Sequence, residues 1–161
     1  MDNSTYFFDL GMICGRFAHA HIGHVNLINQ SMALCKRTLV FAGSAQEKRT
    51  LRNPFSVGTR IDVIHAIYPM VPEERLIVAP LDDMTHEYDV SSAWGRYLLD
   101  EVDYIMHKRP NLMVYGNDKL WSDWFSEDDL AGCSVHVLTR STIPISATQV
   151  RGMLVLNDEK A

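Results

Sequence analysis

Five short stretches of the chain are apolar almost throughout: 10–15 (LGMICG), 38–43 (TLVFAG), 75–80 (RLIVAP), 112–116 (LMVYG) and 135–139 (VHVLT). Short runs that do not alternate with polar residues predict strands covered on both faces. Between them, apolar residues recur at helical spacing. Residues 22–37 carry Ile22, Val25, Leu27, Ile28, Met32, Leu34 and Cys35, then close on Lys36-Arg37, cations suited to the negative end of a helix. Ser56 is placed to cap a helix running to about Tyr68, just before Pro69. Residues 91–107 form a further helix, with Trp94, Leu98, Val102, Ile105 and Met106 on one side, and 146–156 a last short one. Residues 44–55 are polar and basic and end on Asn53-Pro54, which reads as a loop.

Strands separated by helices predict an α/β fold: a doubly wound, mainly parallel five-stranded sheet. The strand order is not given by this pattern. Neither a repeat nor a flexible linker interrupts it, so residues 1–161 read as one domain. Such sheets bind ligands beyond the carboxyl ends of their strands, near helix N-termini. The turns at Gly15, Gly43, Pro80, Gly116 and Thr139 are therefore expected to line one rim.

Composition narrows the ligand. With 15 Lys+Arg against 20 Asp+Glu and a net charge of -5, a general nucleic-acid-binding surface is not expected. No apolar run approaches the ~20 residues a bilayer requires, and residues 1–9 are too polar for a secretory signal. Cys14, Cys35 and Cys133 are far apart in sequence and odd in number, which fits a reducing cytoplasm better than a disulfide framework. Three of the seven histidines, however, crowd into six positions: His19, His21 and His24.

That cluster joins the first strand to the first helix, in Gly15-Arg16-Phe17-Ala18-His19-Ala20-His21-Ile22-Gly23-His24. His21 and His24 share a face once the helix has begun. Gly23 lacks a Cβ and lets a ligand approach the backbone. The helix start adds unpaired amides and a positive partial charge. Two imidazoles in such a place suit a triphosphate whose oxygens gain charge when the α-phosphorus is attacked. Metal ligation by the three histidines and a purely structural histidine pair are the alternatives, although no carboxylate or Cys lies at ligand spacing.

A second anion site is expected at Ile145-Ser146-Ala147-Thr148-Gln149-Val150-Arg151, where two hydroxyls, helix-start amides and a guanidinium fork come together. An ordinary helix cap with an exposed arginine is the plainer reading. The loop after the second strand brings Lys48, Arg49 and Arg52, each able to meet phosphate. Asp82 and Asp83 follow the third strand, and Trp94 opens the next helix. An indole and a carboxylate can hold a cationic ring, but a tryptophan is as readily core. Tyr115-Gly116-Asn117 ends the fourth strand.

G-R-F followed by H-I-G-H resembles the nucleotidylyltransferase superfamily. The same tetrapeptide occurs in class I aminoacyl-tRNA synthetases, but this chain is too short for those and has no K-M-S-K-S loop. I-S-A-T-Q-V-R resembles the superfamily's I-S-x-T-x-x-R element. G-S-A-Q-E…R-N-P-F-S-x-G-x-R is similar to nicotinamide mononucleotide (NMN) adenylyltransferases of the archaeal type and their bacterial and phage relatives. Ala18-His19 stands where that family usually has Gln-Pro.

The resemblance implies transfer of AMP from ATP to NMN, giving NAD and pyrophosphate. It implies catalytic roles for His21, His24 and Arg151. Gly15, Arg16, Phe17, Gly23, Arg52, Gly116, Asn117, Ile145, Ser146 and Thr148 would hold ATP, and Asp82, Asp83 and Trp94 would hold NMN. Mg²⁺ would arrive on ATP, with no metal held by protein side chains. Other acceptors, such as nicotinate mononucleotide or phosphopantetheine, and a non-catalytic nucleotide sensor are the competing readings. A homo-oligomer is permitted and not required.

Overall fold

The computed structural model describes residues 6–15, 17, 22–43, 55–82, 92–116 and 124–138. Strands and helices alternate through β1 (Phe8–Gly15), α1 (Ile22–Leu34), β2 (Cys35–Ala42), α2 (Val57–Ile67), β3 (Leu76–Pro80), α3 (Ser92–Met106) and β4 (Leu112–Gly116), and β5 (Ser134–Leu138) follows. The five expected strands and three of the four expected helices are present. The helix expected at 146–156 lies outside the described residues, as does Thr139.

The sheet order is β3-β2-β1-β4-β5, and every pairing is parallel. Side chains alternate across it, as the two-residue strand period requires. Leu10, Met12, Leu39, Phe41, Met113 and Tyr115 meet Leu98, Leu99 and Val102 of α3 on one face. Ile13, Val40, Leu112 and Val114 meet Ile28 of α1 and Ile64 of α2 on the other. The sheet is thus wound on both faces, which is why its strands are apolar throughout. Gly11 sits where α1 comes close: a Cβ there would overlap Ser31 Oγ and stand 2.8 Å from Cys35 Sγ. Ser31 and Thr38 satisfy each other's buried hydroxyls at 2.8 Å.

The end of α1 corrects the sequence expectation. The helix stops at Leu34, and Cys35, Lys36 and Arg37 belong to β2, with Cys35 paired to Phe8 and Arg37 to Leu10. Lys36-Arg37 therefore does not complement the helix dipole. Arg75, just before β3, does so instead. Its Nη2 donates to the carbonyls of Met32 (2.9 Å) and Cys35 (3.2 Å), and its Nε donates to that of Lys36 (3.2 Å). One distant side chain takes up carbonyls that a helix terminus leaves open.

β1 also starts earlier than expected, at Phe8, and takes in a charge. Asp9 accepts from Lys108 Nζ at 2.8 Å and Arg37 Nη2 at 3.2 Å. The Lys108 hydrogen bond holds its carboxyl below the ordinary 3.8; burial opposes this, and Arg37 adds to the lowering. A carboxylate whose pKa falls on folding contributes stability above its unfolded value, and that contribution is lost as pH falls through the folded value. The gap in thermal midpoint between wild type and Asp9→Asn is therefore expected to hold steady from about pH 7 to 5 and to close below about pH 4. A gap of undiminished size at about pH 2 would contradict this account of Asp9.

Candidate active site

A parallel sheet brings the carboxyl ends of its strands to one rim. In register, Gly15 lies beside Ala42, Ala42 beside Pro80, and Gly116 beside Leu138. The chain proceeds from β1 outward to β2 and β3, then returns to place β4 on the other side of β1. The order reverses between β1 and β4, and the crevice at such a point is where open α/β sheets take their ligands. Hydrogen bonds lace the rim together. The Gly43 N–H donates to the Gly15 carbonyl at 2.7 Å, and the Leu81 N–H donates to that of Ala42 at 2.9 Å.

His24 stands at this crevice. α1 begins at Ile22, so Gly23 and His24 lie in its first turn, among amides that have no intrahelical acceptor. The His24 ring packs against Phe17, with centroids 4.6 Å apart and planes tilted by 51°. Phe17 is buried and has φ +53°, a left-handed conformation that costs a bulky residue about 1–3 kcal/mol. Such a conformation persists only where its surroundings fix it, and here the ring is held in the core with Ile13 and Ile28. A Cβ on Gly15 would stand 3.1 Å from that ring. Gly15, Phe17 and His24 therefore pack together between β1 and α1, with Gly23 beside His24 in the first turn of the helix.

Arg60 is the last residue of the element R-N-P-F-S-x-G-x-R and had no role of its own assigned from the sequence. It lies in the first turn of α2, which Ser56 caps through a hydrogen bond from the Thr59 N–H. Its side chain is almost fully buried, and Nη1 donates to the Gly43 carbonyl at 2.7 Å. The signal was its spacing: Arg60 and Ile64, four apart, are the buried residues of α2.

The expected acceptor side is aromatic. Trp94 is half-buried against the α3 core, with its ring 5.4 Å from that of Tyr97 and edge-on to Trp124 at 6.3 Å. It packs against the core without being engulfed by it. Asp82 is exposed at the end of β3, and its carbonyl accepts from the Tyr97 hydroxyl at 2.9 Å. Asp82, Tyr97 and Trp94 are thereby brought to one side of the sheet. Trp124, which carries no sequence signal of its own, also lies edge-on to Tyr115. Burial pushes the Tyr115 hydroxyl well above its usual range and the Cys133 thiol up to about 11. Both stay neutral near pH 7, so Cys133 is no thiolate nucleophile.

Gly116 ends β4 beside the crevice. Arg16, His19, His21, Lys48, Arg49, Arg52, Asp83, Asn117, Ile145, Ser146, Thr148 and Arg151 lie outside the described residues. Among the described residues, no helix is long and apolar enough to cross a membrane, and no three His, Cys, Asp or Glu side chains are grouped to hold a metal ion.

Comparison with known proteins agrees with this geometry. The cytidylyltransferase-like family matches residues 12–153. The nicotinamide-nucleotide adenylyltransferase of Saccharolobus solfataricus is 30% identical over 151 residues, covering 92% of this chain and 80% of that protein. The protein of the same name from Aeropyrum pernix is 34% identical over 92 residues, covering 54% of this chain; the match spans about half of that relative's length (49%). Among solved structures, a bifunctional NMN adenylyltransferase/ADP-ribose pyrophosphatase from Francisella tularensis aligns with a TM-score of 0.64 at 19% identity, covering 81% of this chain and 37% of that one. That similarity is one of fold. Matched over nearly all its length, with its histidine-bearing turn at the switch point of a parallel sheet, the chain belongs to the cytidylyltransferase-like family and stands there with the nicotinamide-nucleotide adenylyltransferases.

Proposed function

We propose that this protein is a nucleotidyltransferase that moves AMP from ATP to NMN, giving NAD and pyrophosphate. The observation that carries the reading is His24, held by Phe17 in the first turn of α1 at the crevice beside β1. The 30% identity with the Saccharolobus protein, over 92% of this chain, supports the choice of substrates.

The reaction joins an oxygen of the NMN phosphate to the α-phosphorus of ATP. The bond from that phosphorus to the bridging oxygen breaks, and pyrophosphate leaves with the electron pair. The attacking oxygen is already anionic, so no general base is needed. Acceleration then comes from alignment and from donors aimed at charge that builds on the phosphate oxygens. His24 is one such donor, and His21 and Arg151 are assigned beside it. Gly15, Phe17 and Gly23 shape the turn that receives the phosphates. Arg16, Arg52, Ile145, Ser146 and Thr148 are assigned to the triphosphate, and Gly116 and Asn117 to the nucleoside. Trp94, with Asp82 or Asp83, takes the nicotinamide end.

A divalent cation, Mg²⁺, enters on ATP as part of the substrate. The Francisella protein was crystallised with AMP and a manganese ion, which is consistent with a divalent metal at this chemistry. The whole chain acts as one domain in the cytoplasm on small molecules, without nucleic acid or membrane as partner. A nucleotide sensor would need the cradle but not donors timed to a transition state, and His24 favours the enzyme.

Pyrophosphate release from ATP and Mg²⁺ with a panel of acceptors tests the reading. Release with NMN is expected. Release only with phosphopantetheine or another phosphoester would reassign the acceptor, and release with none would favour the sensor. Within the same assay, Arg52→Ala is expected to raise KM for ATP at least about tenfold more than KM for NMN, as a lost phosphate contact should. Equal increases would remove Arg52 from the triphosphate.

A further inference from the structure

The buried arginine of α2 reaches the rim of the sheet. Arg60 is 1% exposed, and among its contacts Nη1 donates to the Gly43 carbonyl. It sits in the first turn of α2, where the helix dipole is positive and opposes a cation. What a guanidinium adds is a rigid, directional donor.

Its donor leads to the catalytic turn through described contacts. Arg60 Nη1 fixes the Gly43 carbonyl at 2.7 Å, and the Gly43 N–H fixes the Gly15 carbonyl at 2.7 Å. Gly15 lies against the Phe17 ring, and Phe17 packs on His24 at 4.6 Å. We infer that Arg60 is a positioning residue for His24, acting through Gly43, Gly15 and Phe17. The inference rests on the adenylyl-transfer reading for its kinetic consequence and on the geometry alone for its structural one. A cradle that stabilises a transition state has little tolerance for displacement, because a shift of about 1 Å can cost two orders of magnitude in rate.

The test uses Arg60→Lys, which keeps the charge but loses the fork, and Arg60→Met, which loses both. Both are assayed below their melting transitions. Arg60→Met is expected to lower kcat about tenfold or more with KM for NMN changed less than about twofold, and Arg60→Lys to recover part of the loss. In a His24→Ala background, the same substitutions should lower kcat by less than about a further twofold, because what they position is gone. A kcat within about twofold of wild type in folded Arg60→Met, or losses that multiply in the double variants, would overturn the inference. If Arg60→Met fails to fold, Arg60→Lys carries the same cycle.

Histidine-selective NMR of the free protein reads the geometry without catalysis. The His24 ring resonance should move in Arg60→Lys while those of His65 and His136 stay in place, and an unmoved His24 resonance would count against the role. A wild-type enzyme inactive on ATP and NMN, with the His24 shift present, would fault the proposed reaction and leave the positioning intact.

Discussion

His24→Ala is expected to lower turnover at saturating ATP and NMN by roughly 10²–10³, with the fold intact. The size follows from the role proposed for the imidazole. It stands in the first turn of α1, against the Phe17 ring. A donor fixed there meets charge that builds only in the transition state, so its loss appears in kcat more than in KM. The ring also covers part of Phe17, so some thermal stability should be lost as well. His24→Phe, which keeps an aromatic partner for Phe17 and removes the donor, separates the two effects. It should restore stability and leave turnover low. A His24→Ala enzyme with wild-type turnover would place the chemistry elsewhere.

Gly95→Ala carries the largest expected effect on stability. Gly95 faces the turn at Trp124 from within α3, and a Cβ there would overlap the Trp124 carbonyl and stand 2.9 Å from Phe125. The obstacle is backbone, so no change of rotamer relieves it. Phe125 is part of the α3-side core, and Trp124 lies edge-on to both Trp94 and Tyr115. One methyl group therefore pushes a whole segment off the sheet, at a cost of about 3 kcal/mol. For a domain of this size that is a fall in Tm of about 6–12 °C. Because Trp94 shares the cluster, binding of the acceptor should weaken more than binding of ATP. A Tm within about 2 °C of wild type would show that α3 and the Trp124 turn are not packed this closely.

The apolar runs were enough to place the strands because a sheet covered on both faces leaves no polar alternation to mislead. The order β3-β2-β1-β4-β5 depends on pairing between distant segments and leaves no local trace. The junction at Leu34 and Cys35 was misread for a definite reason. Cys35 continues the apolar stripe of α1, and Lys36-Arg37 imitates a helix end. Pairing of Cys35 with Phe8 and of Arg37 with Leu10 outweighs both. The start of β1 was missed because Asp9 breaks the apolar run, and its partners Lys108 and Arg37 lie far off in sequence.

The site was legible where its chemistry is local. The turn Gly15-Arg16-Phe17 and the pair Gly23 and His24 are contiguous in sequence, and the described part of that turn packs as one unit. Arg60 closes the element R-N-P-F-S-x-G-x-R, but its burial was not legible there. Arginine in a helix is usually solvated, and its hydrogen bond to the carbonyl of Gly43, seventeen residues earlier, leaves no local trace. Trp124 was hidden in the same way, because its aromatic partners come from α3 and β4.

The most direct test of the central claim is to incubate the protein with ATP, Mg²⁺ and NMN and to quantify NAD, pyrophosphate and ADP in one reaction. The account predicts NAD and pyrophosphate in equal amounts, both dependent on NMN and both suppressed in His24→Ala, with no ADP. ATP consumed to ADP, or left intact with NMN present, would contradict it.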